Sequence, residues 1–251
     1  MAGRSVTLRA LSILDAFDSV HLRLRLSEIA RRSNLPLATA HRHVQELVDW
    51  HALERREDGT YQIGARLWHL GLLSAMHVEL REAALPHLQD LCAATGDTVH
   101  LAVRDGGSAL YVERLGGARS VRVVSRPGGT LPLHATAVGK VLLAWAPDDV
   151  RQSVLSRPER LTPYTVVEPA RLAAQLAEIR RSGVAWTREE MTLGASSVAV
   201  GVTGAAGEVV AAVGLVVPSP RPNIGTGLRA LRAAVNAISA RLRAGEVREV
   251  A

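Results

Sequence analysis

Between residues 20 and 45 the chain sets Arg23, Arg25, Arg31, Arg32 and Arg42 against a single acid, Glu28, with His21, His41 and His43 in the same window. Guanidinium groups present a planar fork of donors that fits phosphate oxygens and the O6/N7 edge of guanine. On the outward side of one helix, Thr39, His41, Arg42 and Gln45 can reach base edges in a major groove. Arg42 suits guanine and Gln45 suits adenine. Ser27, Arg31 and Arg32 on the preceding helix fit phosphate contacts, and Arg55 and Arg56 fit the adjacent backbone or minor groove. An ordinary solvated basic face is the bland alternative, because residues 1–75 as a whole carry ten Arg against eight acids.

A second cluster lies further along. Arg126-Pro127-Gly128-Gly129-Thr130 runs into Leu133-His134-Ala135-Thr136-Ala137-Val138-Gly139-Lys140. A glycine-rich loop before a helix leaves backbone N–H groups free, and these can seat a carboxylate around Gly128, Gly129, Ala137 and Val138. The competing reading is a tight turn that caps a buried helix, its glycines serving backbone geometry.

Catalytic patterns are weak. Gly139-Lys140 is followed by Val141 where a phosphate loop needs Ser or Thr, and position 134 is not glycine. No G-x-S-x-G elbow is present. GVTGAAG sits between two strands rather than before a helix, so it reads as a hairpin turn. Cys92 shares a helix face with Leu88 and Leu91 and reads as packed. His134, Thr136 and Lys140 could form a polar cluster, but Lys140 is expected to solvate or cap. No catalytic residue, metal ligand or cofactor is therefore expected. A lone cysteine also excludes an intrachain disulfide or a cysteine metal cluster within one chain.

The elements that must position these residues follow from periodicity. Residues 6–17 place Leu8, Leu11, Leu14 and Ala16 on one helical face. Ser27 is a plausible N-cap for a helix that buries Ile29 and Ala30. Asn34-Leu35-Pro36 turns into a helix with the inward stripe Ala40, Val44, Leu47 and Val48, and His43 close to that face. Leu53/Arg55 and Tyr61/Ile63 then alternate about Asp58-Gly59, a hairpin signal. This order is that of a winged helix-turn-helix. A connecting helix over 65–76 and a second over 81–95 follow, with a domain boundary near 77. Beyond it, strands are expected at 98–103, 109–115, 119–124, 197–203 and 208–217. Helices are expected at 134–145, 148–155, 168–182 and 225–243. That mixture is α+β.

The chain of 251 residues carries a formal charge of +6, and Lys140 is its only lysine. A general replacement of Lys by Arg accounts for that ratio as well as nucleic acid does, so basicity alone decides little. The N-terminus lacks a signal-peptide core and no uncharged apolar run reaches membrane-span length, which reads as a cytoplasmic protein with no membrane partner.

At this point the sequence resembles the IclR family of bacterial regulators. The likeness is carried by SEIARRSNLPLATAHRHVQELVDWHALERREDGTYQIGARLWHLG, by GDTVHLAVRDGGSALYVERL, by VRVVSRPGGTLPLHATAVGKVLLAW, by RLTPYT and by IRRSGVAWTREEMTLGASSVAVGVTGAAGEVVAAVGLVVP, nearly the whole chain. The resemblance implies a winged helix-turn-helix over 1–64, a linker helix over 65–77 and a GAF-like α/β domain over 78–251 that binds an effector and oligomerises. It implies dimers or tetramers on a palindromic DNA operator, acting as repressor or activator under control of a small organic acid or aromatic metabolite. Two chains would pair through the N-terminal helices and the linker, placing half-sites about one helical turn apart. In the effector site it places Thr187, Ser196 and Ser197 across from the loop, with Val123, Gly214 and Val216 as walls. Ala38 stands where the family often has Ser. Thr187 and Ser197 stand near positions that are often acidic and cysteine, and Gly214 and Val216 stand where small-acid sensors carry serines. The pocket is thus expected to be less polar than theirs. A small-molecule-processing enzyme and a ligand-binding module that does not bind DNA are the alternative classes.

Overall fold

The computed structural model describes residues 5–18, 20–71, 73, 75–121, 123–219 and 225–249. It divides into two compact units, Met1–Val78 and Glu79–Ala251. No helix among the described residues is long and apolar enough to cross a membrane.

In the first unit, α1 (Val6–Leu14) opens on Ser5, whose Oγ accepts the Leu8 N–H at 3.2 Å. Its buried face is Ile13, continued by Ala16, whereas Leu8 and Leu11 are 55% and 49% exposed. Of the expected face Leu8, Leu11, Leu14 and Ala16, only Leu14 and Ala16 meet the core; Leu8 and Leu11 do not, and Ile13 takes the buried position instead. The next helix, α2 (Leu26–Ser33), starts two residues earlier than expected: Glu28 reaches back to the Arg25 N–H at 2.7 Å, so Ser27 sits inside the first turn and is not the cap. Asn34, left-handed at φ 55°, ends α2, and Pro36 precedes α3 (Leu37–Asp49). Strands β1 (Leu53–Arg55) and β2 (Tyr61–Ile63) pair in register, Arg55 opposite Tyr61. Asp58 Oδ1 accepts the Thr60 N–H at 2.9 Å and Gly59 takes φ 77°, which closes the hairpin. Leu24 and Tyr61 exchange backbone hydrogen bonds, so the ribbon is stitched to the segment before α2. Ile13, Leu24, Ile29, Val44, Leu53 and Tyr61 form the core.

Helix α4 covers Ala65–Gly71 and α5 covers Ala75–Thr95. The connecting helix expected over 65–76 is thus divided between two helices; residues 72 and 74 lie outside the described residues.

The second unit is built on a six-stranded antiparallel sheet in the order β5-β4-β3-β8-β7-β6. The strands are β3 (Thr98–Asp105), β4 (Ser108–Leu115), β5 (Thr130–Pro132), β6 (Val184–Arg188), β7 (Ala195–Thr203) and β8 (Val209–Pro218). Successive side chains alternate between faces. Val99, Leu101, Val213 and Leu215 pack with α5 and with α9 (Gly225–Glu249) on one face. Ala102, Ala199 and Ala212 pack with α6 (Ala137–Ala144) and α8 (Pro169–Ser182) on the other. Helix α7 (Asp148–Ser156) lies between those two in sequence.

The strand expected over 119–124 does not form at its described residues; residue 122 lies outside them. Arg119 gives its N–H to Gly96 O and Ser120 gives both N–H and Oγ–H to Gly117 O, so the segment turns instead of pairing. The edge of β4 is taken by β5, through Ala109 opposite Leu131. Neither β5 nor β6 was evident in the sequence.

Lys140 also departs from expectation. It neither solvates nor caps: it is fully buried, and all three ammonium protons have acceptors. Glu190 Oε1 and Oε2 lie at 2.6 and 2.8 Å, and Gln175 Oε1 lies at 2.8 Å. Burial pulls its pKa below the ordinary lysine value, and Glu190 opposes that shift. Removing one partner strands the other as a buried charge. Lys140→Met is therefore expected to cost about 3–5 kcal/mol. Adding Glu190→Leu should restore more than half of the loss, because an apolar pair removes both desolvation penalties. Urea unfolding of the single and double variants checks this; wild-type stability in the single variant would contradict it.

Candidate DNA interface and ligand cavity

Helix α3 presents Leu37, Ala38, His41, Arg42 and Gln45 to solvent, with Thr39 half-buried, while Ala40, His43 and Val44 point into the core. His43 is completely buried and its Nδ1 meets Glu46 Oε2 at 2.9 Å. The exposed cations are not equivalent. The guanidinium groups of Arg31, Arg42 and Arg55 make no hydrogen bond or ion pair with any described residue, so they are available. Arg32 is engaged: Nε donates to Ala16 O and Nη2 to Asp18 Oδ2, both at 2.6 Å. Arg56 donates to Gln62 at 3.0 Å and Gln45 to Asp49 at 2.9 Å, both exposed bonds that a partner can replace. Ser27 and His41 are exposed. Sequence reasoning missed Arg66, whose guanidinium stacks over Trp50 at 4.3 Å.

The cavity opens on the α6 face of the large sheet and encloses about 470 Å³, its mouth included. Of the residues expected there, Val123, Ala137, Val138, Thr187, Ser197, Gly214 and Val216 line it, and Gly128, Gly129 and Ser196 do not. Ser196 follows the alternation of β7 to the opposite face from Ser197. The glycine loop is not a seat of free amides: Gly128 N–H goes to Tyr111 O at 2.8 Å and Gly129 N–H to Arg126 O at 3.0 Å. The opening of α6 is what faces the cavity. There Thr136 Oγ1 accepts the Gly139 N–H at 3.0 Å, while Ala137 and Val138 occupy the first turn, whose amides have no intrahelical acceptor.

The polar part of the lining was mostly missed. His100, Tyr111, Ser125, Thr136 and Thr192 all border the cavity. His100 and Tyr111 meet edge to face, 5.0 Å between centroids, and His100 Nε2 is 2.8 Å from Ser125 Oγ. One signal was available: in TVHLAV, residues 98–103, the alternation puts Thr98 and His100 on the same face of an otherwise apolar strand. On the far side Thr187 Oγ1 and Ser197 Oγ lie 2.5 Å apart. None of these lining residues bears a formal charge at neutral pH. Burial, reinforced by the positive charge of Arg114 opposite it, pushes His100 from 6.5 down to about 3. Burial pushes Tyr111 up to about 12. Among the described residues no group of three His, Cys, Asp or Glu is placed to hold a metal.

Comparison with known proteins decides the family. The model of the bacterial transcriptional regulator IclR C-terminal domain matches residues 73–241, and that of the IclR helix-turn-helix domain matches residues 6–57. The chain belongs to the IclR family. A curated member, the HTH-type transcriptional regulator XynR of Escherichia coli, is 33% identical over 210 residues, 82% of this chain and 83% of XynR. The regulator KdgR of Dickeya chrysanthemi is 30% identical over 220 residues, covering 86% of this chain and 72% of KdgR. Among solved structures, an IclR homologue from Microbacterium hydrocarbonoxydans complexed with 4-hydroxybenzoate superposes with a TM-score of 0.91 at 36% identity, covering 96% of this chain and 100% of that one. As an IclR-family protein the chain is a DNA-binding transcriptional regulator, and its relatives are regulators rather than enzymes. Its N-terminal unit is the family's helix-turn-helix, and its C-terminal unit is the family's α/β domain.

The depressed pKa of His100 ties stability to pH. The folded state keeps the imidazole neutral where the unfolded chain would protonate it. The native state therefore holds its full advantage above the unfolded value of 6.5 and loses it as pH falls toward 3. Below the upper limit the slope reaches at most about 1.4 kcal/mol per pH unit. In His100→Asn the urea midpoint should fall less steeply from about pH 7 to about pH 5 than in the wild type. Parallel slopes for the two proteins would overturn the assignment.

Proposed function

We propose that this IclR-family regulator binds a small organic acid, aromatic in character, in the α6-side cavity, and that occupancy changes its affinity for an operator. In this reading residues 1–64 read DNA, 65–77 link, and 78–251 sense the effector and oligomerise, in a cytoplasmic dimer or tetramer. A palindromic operator follows from two-fold pairing, with half-sites about one helical turn apart. The observation that carries the DNA half is the set of unengaged cations, Arg31, Arg42 and Arg55, on the outward side of α2, α3 and the ribbon. Arg42 and His41 enter the major groove with Thr39 and Gln45. Ser27, Arg31 and Arg55 hold phosphates. Arg32 and Arg56 join them by exchanging an internal partner for a phosphate oxygen.

The effector half rests on the cavity's uncharged lining, on Ala137 and Val138 at the start of α6, and on the 4-hydroxybenzoate bound by the Microbacterium homologue. Arg42→Ala should weaken binding to the selected operator by about 1–3 kcal/mol and relax base preference at its position. Arg55→Ala should weaken all sequences alike and reduce the salt slope by about one. Gel-shift titrations against specific and scrambled DNA separate the two; unchanged affinity and preference in Arg42→Ala would refute its placement. A panel of aromatic acids should raise the thermal midpoint of the wild type, and Ala137→Trp, which fills the seat, should abolish that rise.

A further inference from the structure

Helix α4 buries none of its residues: Leu67 is half-buried, and the apolar Trp68 and Leu70 are exposed. A surface helix ordinarily holds its direction by burying an apolar stripe. The contacts that tie α4 to the first unit gather instead at one corner, where the ribbon ends beside the last turn of α3. Gly64 gives its N–H to Ala52 O, and Ala52 gives its own to Leu47 O, both at 2.8 Å. Glu54 on β1 accepts the Ala65 N–H at 3.3 Å with one carboxylate oxygen and Gln62 Nε2 at 3.0 Å with the other. A Cβ on Gly64 would fall 2.3 Å from His51 O, so the start of α4 sits hard against the chain that leaves α3. Arg66, in the first turn of α4, lays its guanidinium 4.3 Å from the centre of the Trp50 ring, and Trp50 is the residue that caps α3.

The contacts divide the work. The hydrogen bonds at Gly64 and Ala65 fix where α4 begins, but a helix turning about its first residue could keep them. The stack grips a side chain further into α4 and resists that turning. It joins the end of α3, the helix that carries Arg42 and Gln45, to a helix that stands in the chain between the ribbon and the second unit. A cation–π contact at an exposed site is also weak enough to be broken by a modest pull on α4. The rival role for Arg66 is a phosphate contact, which would draw the guanidinium off the ring and leave Trp50 no part in DNA binding.

We infer that Arg66 and Trp50 are positioning residues for DNA reading: their stack sets the direction of α4 against α3, so that the placement of α3 on the bases follows the direction of α4. This rests on the reading of α3 as the helix in the major groove. The test is titration of the full chain, at several salt concentrations, against the DNA that the wild type selects from a random pool and against a scrambled duplex. Arg66→Ala, and Trp50→Ala, which changes no charge, should each lower the ratio of selected to scrambled affinity about two- to fivefold, the range that a cation–π contact at an exposed site supplies. The salt slope should stay undiminished. Arg66→Lys and Trp50→Phe, which keep a cation over a ring, should restore most of the ratio. Arg66→Ala/Trp50→Ala should lose no more than the weaker single variant, because both remove one contact. An equal loss on both DNAs with the salt slope reduced by about one in Arg66→Ala would make Arg66 a phosphate contact and overturn the inference. Additive losses in the double variant, or a wild-type ratio in both alanine variants, would overturn it as well. Arg42→Ala, titrated alongside, separates the two readings. A wild-type ratio there would overturn both, whereas a loss there with none in the corner variants would overturn this inference alone.

Discussion

The second unit is organised around the Lys140–Glu190 pair. Burying an ammonium and a carboxylate costs several kcal/mol each, so the pair persists only because its geometry is complete. Lys140 spends its three protons on Glu190 and Gln175, and Glu190 Oε2 also takes the Val166 N–H at 3.3 Å. Thr165 donates its hydroxyl to Glu190 O, and Thr162 donates to Glu189 O, both at 2.7 Å. One buried charge therefore ties α6, α8, the Thr162–Val166 turn and the chain just after β6 to a single point. Two of those elements are walls of the cavity: Ala137 and Val138 stand on α6, and Met191 and Thr192 follow Glu190 directly. The site's shape is fixed from behind, by a pair that does not itself touch the cavity.

Close approach of α6 to the sheet is the second constraint, and small residues permit it. Gly139 has no room for a Cβ, which would fall 2.5 Å from Leu133 O and from Thr136 Oγ1. Ala102, Ala199 and Ala212 face the helix from the sheet. With so little side-chain volume beneath α6, the cavity's few large groups, His100 and Tyr111, determine where space is left. Their polarity is affordable there because Ser125 and Thr136 supply partners.

Local signals made the first unit largely legible. The arginine cluster, the Asn34–Pro36 turn and Asp58-Gly59 each declare their structure within a few residues, and the helix-turn-helix with its ribbon follows from them. Errors there were local as well: the Glu28 hydrogen bond to Arg25 moved the start of α2 ahead of Ser27, and Ile13 rather than Leu8 and Leu11 took the buried face. The cavity could not be read in that way. Thr187, Ser197 and Gly214 come together only because β6, β7 and β8 are neighbours in one register, and these positions came from family resemblance rather than from pattern. His100 and Tyr111 belong to β3 and β4, which the sequence placed as a hairpin but not beside β8. Lys140 was misjudged because a lone lysine belongs at the surface unless paired, and its partner lies fifty residues away.

Charge is used in opposite ways in the two units. In the first, several guanidinium groups are left without internal partners, which raises the net positive potential and makes association with a polyanion strongly salt-dependent. In the second, the buried ammonium is neutralised on the spot and the histidine is held uncharged. A ligand entering such a cavity gains from shape, hydrogen bonds and helix amides rather than from a full countercharge. Its effect on DNA binding is bounded by its differential affinity for the two states of the protein, typically about 1–3 kcal/mol. That is 5- to 150-fold in operator affinity, comparable to what a single phosphate or base contact supplies. A modest effector can therefore switch a regulator of this kind only where salt has already brought its DNA affinity close to the working threshold.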